Sequence, residues 1–281
     1  MPNQDLRNAR RNRNDEFYTQ FDVIEKELKH YRKHFEGKVV YCNCDDPYVS
    51  NFFDYFARDF ENLELRKLVS TSFQNEQPNL FSQHADGRGL KLVYDGDKDG
   101  DGLPSIKETK ITKLKGDGDF RSEECVQLLK EADVICTNPP FSLFREYVAQ
   151  LMKYDKKFLI IGNLNAITYK EIFPLIKDNN LWLGVSMDGR NQWFGVPDNY
   201  PLKATKNRID DNGNKLVFAS GCVWFTNLDH DKRHEFLTLN KNYSPEKYPH
   251  YDNYDAIEVS KTKDIPQNWG GADGRSHFIS E

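Results

Sequence analysis

The sequence predicts an α/β protein whose sheet is mostly parallel and covered by helices on both faces. Three observations carry this. Short apolar runs, Val39-Val40-Tyr41, Val134-Ile135-Cys136 and Phe158-Leu159-Ile160-Ile161, read as strands buried on both sides. Amphipathic stretches with helical spacing alternate with them, the pattern of strand–helix–strand units. The chain has 281 residues, 38% hydrophobic and 30% charged, enough for one large α/β domain or one domain with a smaller appendage.

Asp22 with Glu25 predicts a capping-box start, and Ile24, Leu28, Tyr31 and Phe35 give the following apolar stripe, stopped by Gly37. A first strand follows at Val39-Val40-Tyr41, a turn at Asp45-Asp46-Pro47, a Phe-rich helix over 50–60 and a second strand at Lys67-Leu68-Val69. Residues 74–118 are irregular, although Leu90, Leu92 and Tyr94 alternate as a strand does, and Ile111 and Leu114 belong to another. Ser122 caps a short helix reaching Lys130. After the strand that ends at Thr137, Leu143, Tyr147, Val148 and Leu151 share one helical face. Thr168 with Glu171 opens a further helix, and 181–185 and 222–226 are the last two strands. The segment 186–216 has no clear period, which in a connection that long points to function or disorder. The last fifty or so residues are polar and rich in tyrosine, with Tyr243, Tyr248, Tyr251 and Tyr254.

No apolar run approaches the length of a membrane span, and no apolar segment follows the Arg-rich start as in a signal peptide. The five cysteines are odd in number and irregularly spaced, so they read as reduced thiols of a cytoplasmic protein. A net charge of −5 argues against indiscriminate nucleic-acid binding. The distribution is less even: Arg7, Arg10, Arg11 and Arg13 make a basic arm, against Asp5 alone. Taken by itself such an arm is a solvated terminus.

In sheets of this kind the ligand lies beyond the carboxyl ends of the strands. There the chain places Thr137-Asn138-Pro139-Pro140-Phe141. The prolines lack N–H groups and hold the backbone extended. The Pro139 carbonyl and the Asn138 side-chain oxygen then offer two acceptors side by side, which suit the two donors of an exocyclic amino group. Phe141 supplies a flat face for stacking. Together they describe a pocket for an aromatic ring bearing –NH2. The residues 97–108 compete for attention: Asp97, Asp99, Asp101, Gly102 and Glu108 fit the EF-hand loop pattern. Their flanks alternate as strands do, Pro104 removes an N–H the loop uses, and the motif occurs once. A solvated acidic hairpin is the expected reading and no metal is required.

Asn-Pro-Pro-Phe resembles the catalytic motif of amino-methyltransferases that use S-adenosylmethionine, most of them adenine-N6 DNA methyltransferases. Gly116-Asp117-Gly118-Asp119-Phe120 resembles their Asp-Phe cofactor motif, which implies Asp119 on the cofactor's adenine amino group and Phe120 beside its ring. Phe17-Tyr18-Thr19 resembles the Phe-Tyr-Thr-Pro segment that contacts the methionine end, with Gln20 in place of proline. Asp46 and Pro47 stand in the cofactor loop Asp-Pro-x-x-Gly-x-Gly, whose glycines are absent here. Taken together, the order of these segments most resembles the EcoRI-type adenine-specific DNA methyltransferase family, over roughly residues 12–265.

The resemblance implies a Rossmann-like fold with a mostly parallel seven-stranded sheet. It implies S-adenosylmethionine as cofactor, with Asn138 also in its site. It implies double-stranded DNA as substrate, an adenine flipped out of the duplex and a role in restriction-modification or phage DNA modification. A cognate restriction endonuclease would belong to the same system without a stable complex. Residues 1–20 would then be arm and cofactor-contact segment and 21–228 the catalytic domain. Within it, 186–216 would be a DNA-contact insertion, and 229–281 an extension for target recognition. Arg10, Arg11, Arg13, Lys203, Lys206 and Arg208 become candidate DNA contacts. Motifs of this type also serve RNA, protein-glutamine and cytosine-N4 methyltransferases. An inactive DNA-binding relative and a calcium-binding interaction module are the remaining readings.

Overall fold

The computed structural model describes residues 17–44, 50–73, 88–101, 104–105, 107–186, 192–196, 206–211, 213–235, 238–253, 256–267 and 269. The chain divides into two compact units, Met1–His230 and Asp231–Glu281.

In the first unit a short strand β1 (Tyr18–Thr19) leads into helix α1 (Phe21–Leu28). The expected capping box at Asp22 does not form. Phe21 packs against Tyr55, ring centroids 6.0 Å apart, and draws the start back, so that Gln20 is the N-cap. Asp22 lies in the first turn, where its charge complements the helix dipole. The apolar stripe is buried as expected, but its last members, Tyr31 and Phe35, flank a 3-10 turn at Arg32–His34.

Strand β2 (Val39–Cys42) is followed by α2 (Asn51–Arg58), whose cap Ser50 accepts the Phe52 and Phe53 N–H groups. Then come β3 (Lys67–Thr71), β4 (Leu90–Tyr94), β5 (Lys110–Lys113) and α3 (Glu123–Glu131), capped by Ser122. The chain continues through β6 (Val134–Thr137), α4 (Phe144–Lys153) and β7 (Lys157–Asn163). The helix expected from Thr168 begins later, as α5 (Phe173–Lys177), behind a 3-10 turn at Leu164–Thr168. Pro174 tolerates only the first turn of a helix, and that sets the start. The remaining strands are β8 (Trp182–Leu183), β9 (Gln192–Gly195), β10 (Asn207–Ile209), β11 (Lys215–Ala219) and β12 (Cys222–Thr226).

The α/β expectation holds, with a correction to the sheet. It has eight strands in the order β5-β4-β3-β2-β6-β7-β12-β8. Only β3, β2, β6 and β7 pair with one another in parallel; β4 pairs antiparallel with β3, β5 with β4, β12 with β7 and β8 with β12, so β4 and β12 run against the rest. A hairpin return needs a loop where a parallel return needs a crossover helix, and the irregular segment before β5 contains no helix among its described residues. Side chains alternate across the sheet into two buried layers. Val40, Cys42, Cys136, Leu159, Ile161 and Trp224 meet α1 and α2 on one face. Tyr41, Ile135, Phe158, Ile160 and Phe225 meet α3 and α4 on the other.

The segment 186–216, which shows no period in sequence, contributes to a second sheet of four strands in the order β1-β9-β11-β10. Its strands are too short for a period to register. In the second unit β13 (Lys241–Asn242) pairs in parallel with β14 (Pro266–Gln267), and Tyr243 packs against Trp269 at 4.9 Å. No helix among the described residues is long and apolar enough to cross a membrane.

Candidate active site

Strands β2 and β6 lie side by side, and their carboxyl ends are tied together. The Thr137 hydroxyl donates to the Asn43 carbonyl, and the Tyr147 hydroxyl donates to Asn43 Oδ1. Asn138 follows at once and is 8% exposed. Its Nδ2 donates to the Phe17 carbonyl at 2.7 Å. A carbonyl only accepts, so this contact settles which way the amide faces. Oδ1 is turned the other way, buried and without a hydrogen-bond partner. An orphaned buried acceptor costs roughly 1–3 kcal/mol, which a donor brought by a ligand would recover.

Pro140 is extended (φ −54°, ψ 123°) and opens a 3-10 turn over Phe141–Leu143. The Phe141 ring lies nearly parallel to that of Phe17, 5.6 Å away at 21°. Phe17 in turn meets the edge of Phe194 on β9 at 6.0 Å. The amide and the rings therefore share one corner, built from β6, the residue before β1, and β9.

Thr19 is 3% exposed, its carbonyl accepts from Asn51 Nδ2 at 2.6 Å, and its Oγ1 is a second buried orphan. Two orphaned polar atoms, on segments joined by the Phe17–Asn138 bond, fit a polar ligand. At the end of β2 the chain turns through Cys44 at φ 60°, a left-handed conformation that glycine adopts far more readily. Asp46 and Pro47 lie outside the described residues.

The Asp119 segment packs on the end of β3. Gly118 has φ 87°, and a Cβ there would lie 2.0 Å from the Ser72 carbonyl oxygen, so only glycine fits. Asp119 Oδ2 receives Arg121 Nη2 at 2.6 Å and Oδ1 receives Arg121 Nε at 2.9 Å. These hydrogen bonds from the Arg121 side chain hold the Asp119 carboxyl below its usual range, against the opposing effect of burial. Phe120 is 4% exposed and meets Tyr147 edge-on at 5.1 Å. Its ring is part of the core, and Tyr147 connects it to Asn43 and the strand ends.

Lys206 and Arg208 lie elsewhere, on the outer side of the second sheet, over Trp193 and Phe218. Arg10, Arg11, Arg13 and Lys203 lie outside the described residues. In the acidic loop, carboxylate oxygens of Asp97, Asp99 and Glu108 come within 4.8 Å of one another. Glu108 uses its oxygens on backbone groups, accepting Lys98 N–H at 2.7 Å and Ser105 N–H at 2.9 Å. The Lys98 N–H foremost holds its carboxyl down at about 2. The loop joins strands β4 and β5 where an EF-hand would have helices; Gly102 lies outside the described residues.

Sequence reasoning passed over Asn43, Tyr147 and Phe194. Asn43 carries the same signal as Asn138, an amide at the carboxyl end of a buried strand. Tyr147 counts as apolar in a helical stripe, which hides its hydroxyl. Phe194 sits in the segment without a period.

A strand-end Asn-Pro-Pro-Phe with an orphaned acceptor and a ring wall is the equipment of an amino-group methyltransferase. The chain belongs to the family of the adenine-specific methyltransferase EcoRI, whose model matches residues 5–277. It is 50% identical to the type II methyltransferase M.EcoRI of Escherichia coli over 97% of this chain and 83% of that protein. It is 40% identical to the type II methyltransferase M.MgeORF184P of Mycoplasma genitalium, over 95% and 78% of the two chains. With the type II methyltransferase M.MpnI of Mycoplasma pneumoniae the identity is 38% over 94% and 77%. No solved structure matches. The protein is an adenine-specific DNA methyltransferase, and membership implies in general the use of S-adenosylmethionine.

Proposed function

We propose that this enzyme transfers a methyl group from S-adenosylmethionine to N6 of an adenine flipped out of double-stranded DNA, at one recognition sequence, within a restriction-modification system. The observation that carries this reading is Asn138 Oδ1, buried and unpartnered beside Phe141 and Phe17. Bound S-adenosylmethionine would supply an electrophilic methyl group.

This chain's own part is to bind and orient. Asn138 Oδ1 and the Pro139 carbonyl accept the two N6–H groups of adenine. That favours a pyramidal nitrogen, localises on it the lone pair that conjugation otherwise spreads into the ring, and makes the nitrogen a nucleophile. Phe141 stacks on the base and offsets part of the unstacking and unpairing cost, on the order of 1–3 kcal/mol. Pro139 and Pro140 keep the backbone from relaxing into a helix. Phe17, Tyr18 and Thr19, with Asp46, Pro47, Asn138, Asp119 and Phe120, form the cofactor side in this reading. The orphaned Thr19 hydroxyl supports it. The mixed sheet is then a variant of the Rossmann-like methyltransferase fold.

Residues 1–20, 21–228 and 229–281 are proposed as arm with cofactor segment, catalytic domain and recognition extension. A cognate endonuclease would act on the same site in the cytoplasm without a stable complex.

The test is transfer of labelled methyl from S-adenosylmethionine to mixed-sequence duplex DNA, followed by digestion to nucleosides. Label on N6-methyladenine is expected. Label on cytosine, or no label on DNA while S-adenosylmethionine binds, would overturn the substrate. Asp119→Ala is expected to weaken S-adenosylmethionine binding about tenfold or more, the loss of one hydrogen bond to a charged acceptor. Calorimetry giving an unchanged Kd would remove Asp119 from the site.

A further inference from the structure

We infer that Trp193 and Phe218 hold Arg208 and Lys206 as a clamp for the phosphate backbone of the DNA substrate. The inference rests on the DNA methyltransferase reading above and deepens it: Lys206 and Arg208 are DNA-contact candidates from the sequence, and the aromatic pair that holds them is new. Strands β9 and β11 pair so that Phe218 lies opposite Trp193, on one face of the second sheet, their rings edge to face at 5.3 Å. Strand β10 brings cations onto the same face. Arg208 lies 4.4 Å from the centre of the Trp193 ring, and Lys206 lies 4.7 Å from that of Phe218. Both cations are exposed, the two rings are half-buried, and among the described residues neither cation forms an ion pair.

Long cationic side chains on a surface ordinarily lose conformational freedom when they bind. A guanidinium lying on an indole has lost part of it already, while its N–H edge remains open to an anion. Two cations held this way complement a phosphodiester chain. The chain is acidic overall, so nucleic acid must be met by such local features. The position fits as well. Phe194, the next residue on β9, turns inward to touch Phe17 of the Asn138 corner. One strand thus carries the wall of the base site and the clamp.

The test measures Kd of the full chain for duplex DNA over a salt series, for wild type, Trp193→Ala, Arg208→Ala and the double variant. Arg208→Ala is expected to weaken binding about five- to tenfold and to lower the slope of log K against log salt by about one, and Trp193→Ala, which keeps both cations, to weaken binding several-fold with a smaller change of slope. The double variant should lose clearly less than the two single losses combined, because the ring acts chiefly through Arg208, with a lesser contact to Lys206 at 6.0 Å. S-adenosylmethionine affinity should not change. Unaltered DNA affinity and slope in Arg208→Ala would overturn the clamp, and additive losses would overturn the role of the ring. Arg208 is exposed, so its variant remains informative if Trp193→Ala fails to fold. Wild-type methyl transfer is assayed alongside. If wild type neither binds nor methylates DNA, the functional reading falls and the clamp with it; if wild type does both and the variants match it, the clamp alone falls.

Discussion

Asn138→Ala should lower kcat by at least about 10²-fold, the usual cost of losing one preorganised polar group at a reacting centre. Binding of S-adenosylmethionine should survive. Asn138 works with both ends of its amide: Nδ2 is tied to the Phe17 carbonyl at 2.7 Å, and this leaves Oδ1 as a fixed acceptor with nothing to accept from. Alanine removes the acceptor, so the amino nitrogen keeps its lone pair in conjugation with the ring. It also removes an acceptor that is unsatisfied in the free enzyme, so the fold should not suffer in proportion. Single-turnover methylation with saturating cofactor measures the chemical step. Turnover near that of wild type would show that Asn138 is not the acceptor and that the strand-end motif has another purpose.

Glu27→Ala should destabilise the protein by about 3 kcal/mol or more, because one buried and two part-buried donors would lose their shared acceptor. Glu27 is completely buried. Its Oε1 accepts Val185 N–H at 2.7 Å and the Tyr31 hydroxyl at 2.8 Å; Oε2 accepts Ser186 N–H at 2.6 Å. Burial first, then the charge of Glu27, pushes the Tyr31 hydroxyl far up, so it remains a donor at any ordinary pH. The carboxylate thereby pins α1 to the start of the segment that builds the second sheet. Gly184 leaves it room: a Cβ there would lie 2.2 Å from Glu27 Oε1. Glu27→Gln keeps one acceptor but turns an N–H toward a donor, and should cost less than alanine. Urea unfolding followed by circular dichroism reads both variants. An unchanged midpoint in Glu27→Ala would mean the buried carboxylate contributes nothing net.

What could be read from the chain followed physical scale. Helix caps at Ser50 and Ser122 and the buried strands at Val39 and Val134 are local features, and short-range chemistry decides them. Asn138-Pro139-Pro140-Phe141 was legible for the same reason: its residue types announce acceptors, rigidity and a stacking face. The capping box at Asp22 failed because a distant ring, Tyr55, settled where α1 begins. Strand direction at β4 and β12 was not legible, since alternation reports which side a residue faces and not which neighbour it pairs with. The second sheet escaped notice because its strands are brief and owe their existence to each other.

By itself the sequence determined the α/β class, the position of the strand-end motif and the family it resembles, because these depend on residue type and near spacing. Only the tertiary structure decided that Asn138 faces its oxygen into an unpartnered site, that Thr137 and Asn43 lock two strand ends together, and that Trp193 lies beneath Arg208. Each of those joins residues remote in the chain, and such contacts form only when burial of the whole core repays the entropy of bringing them together.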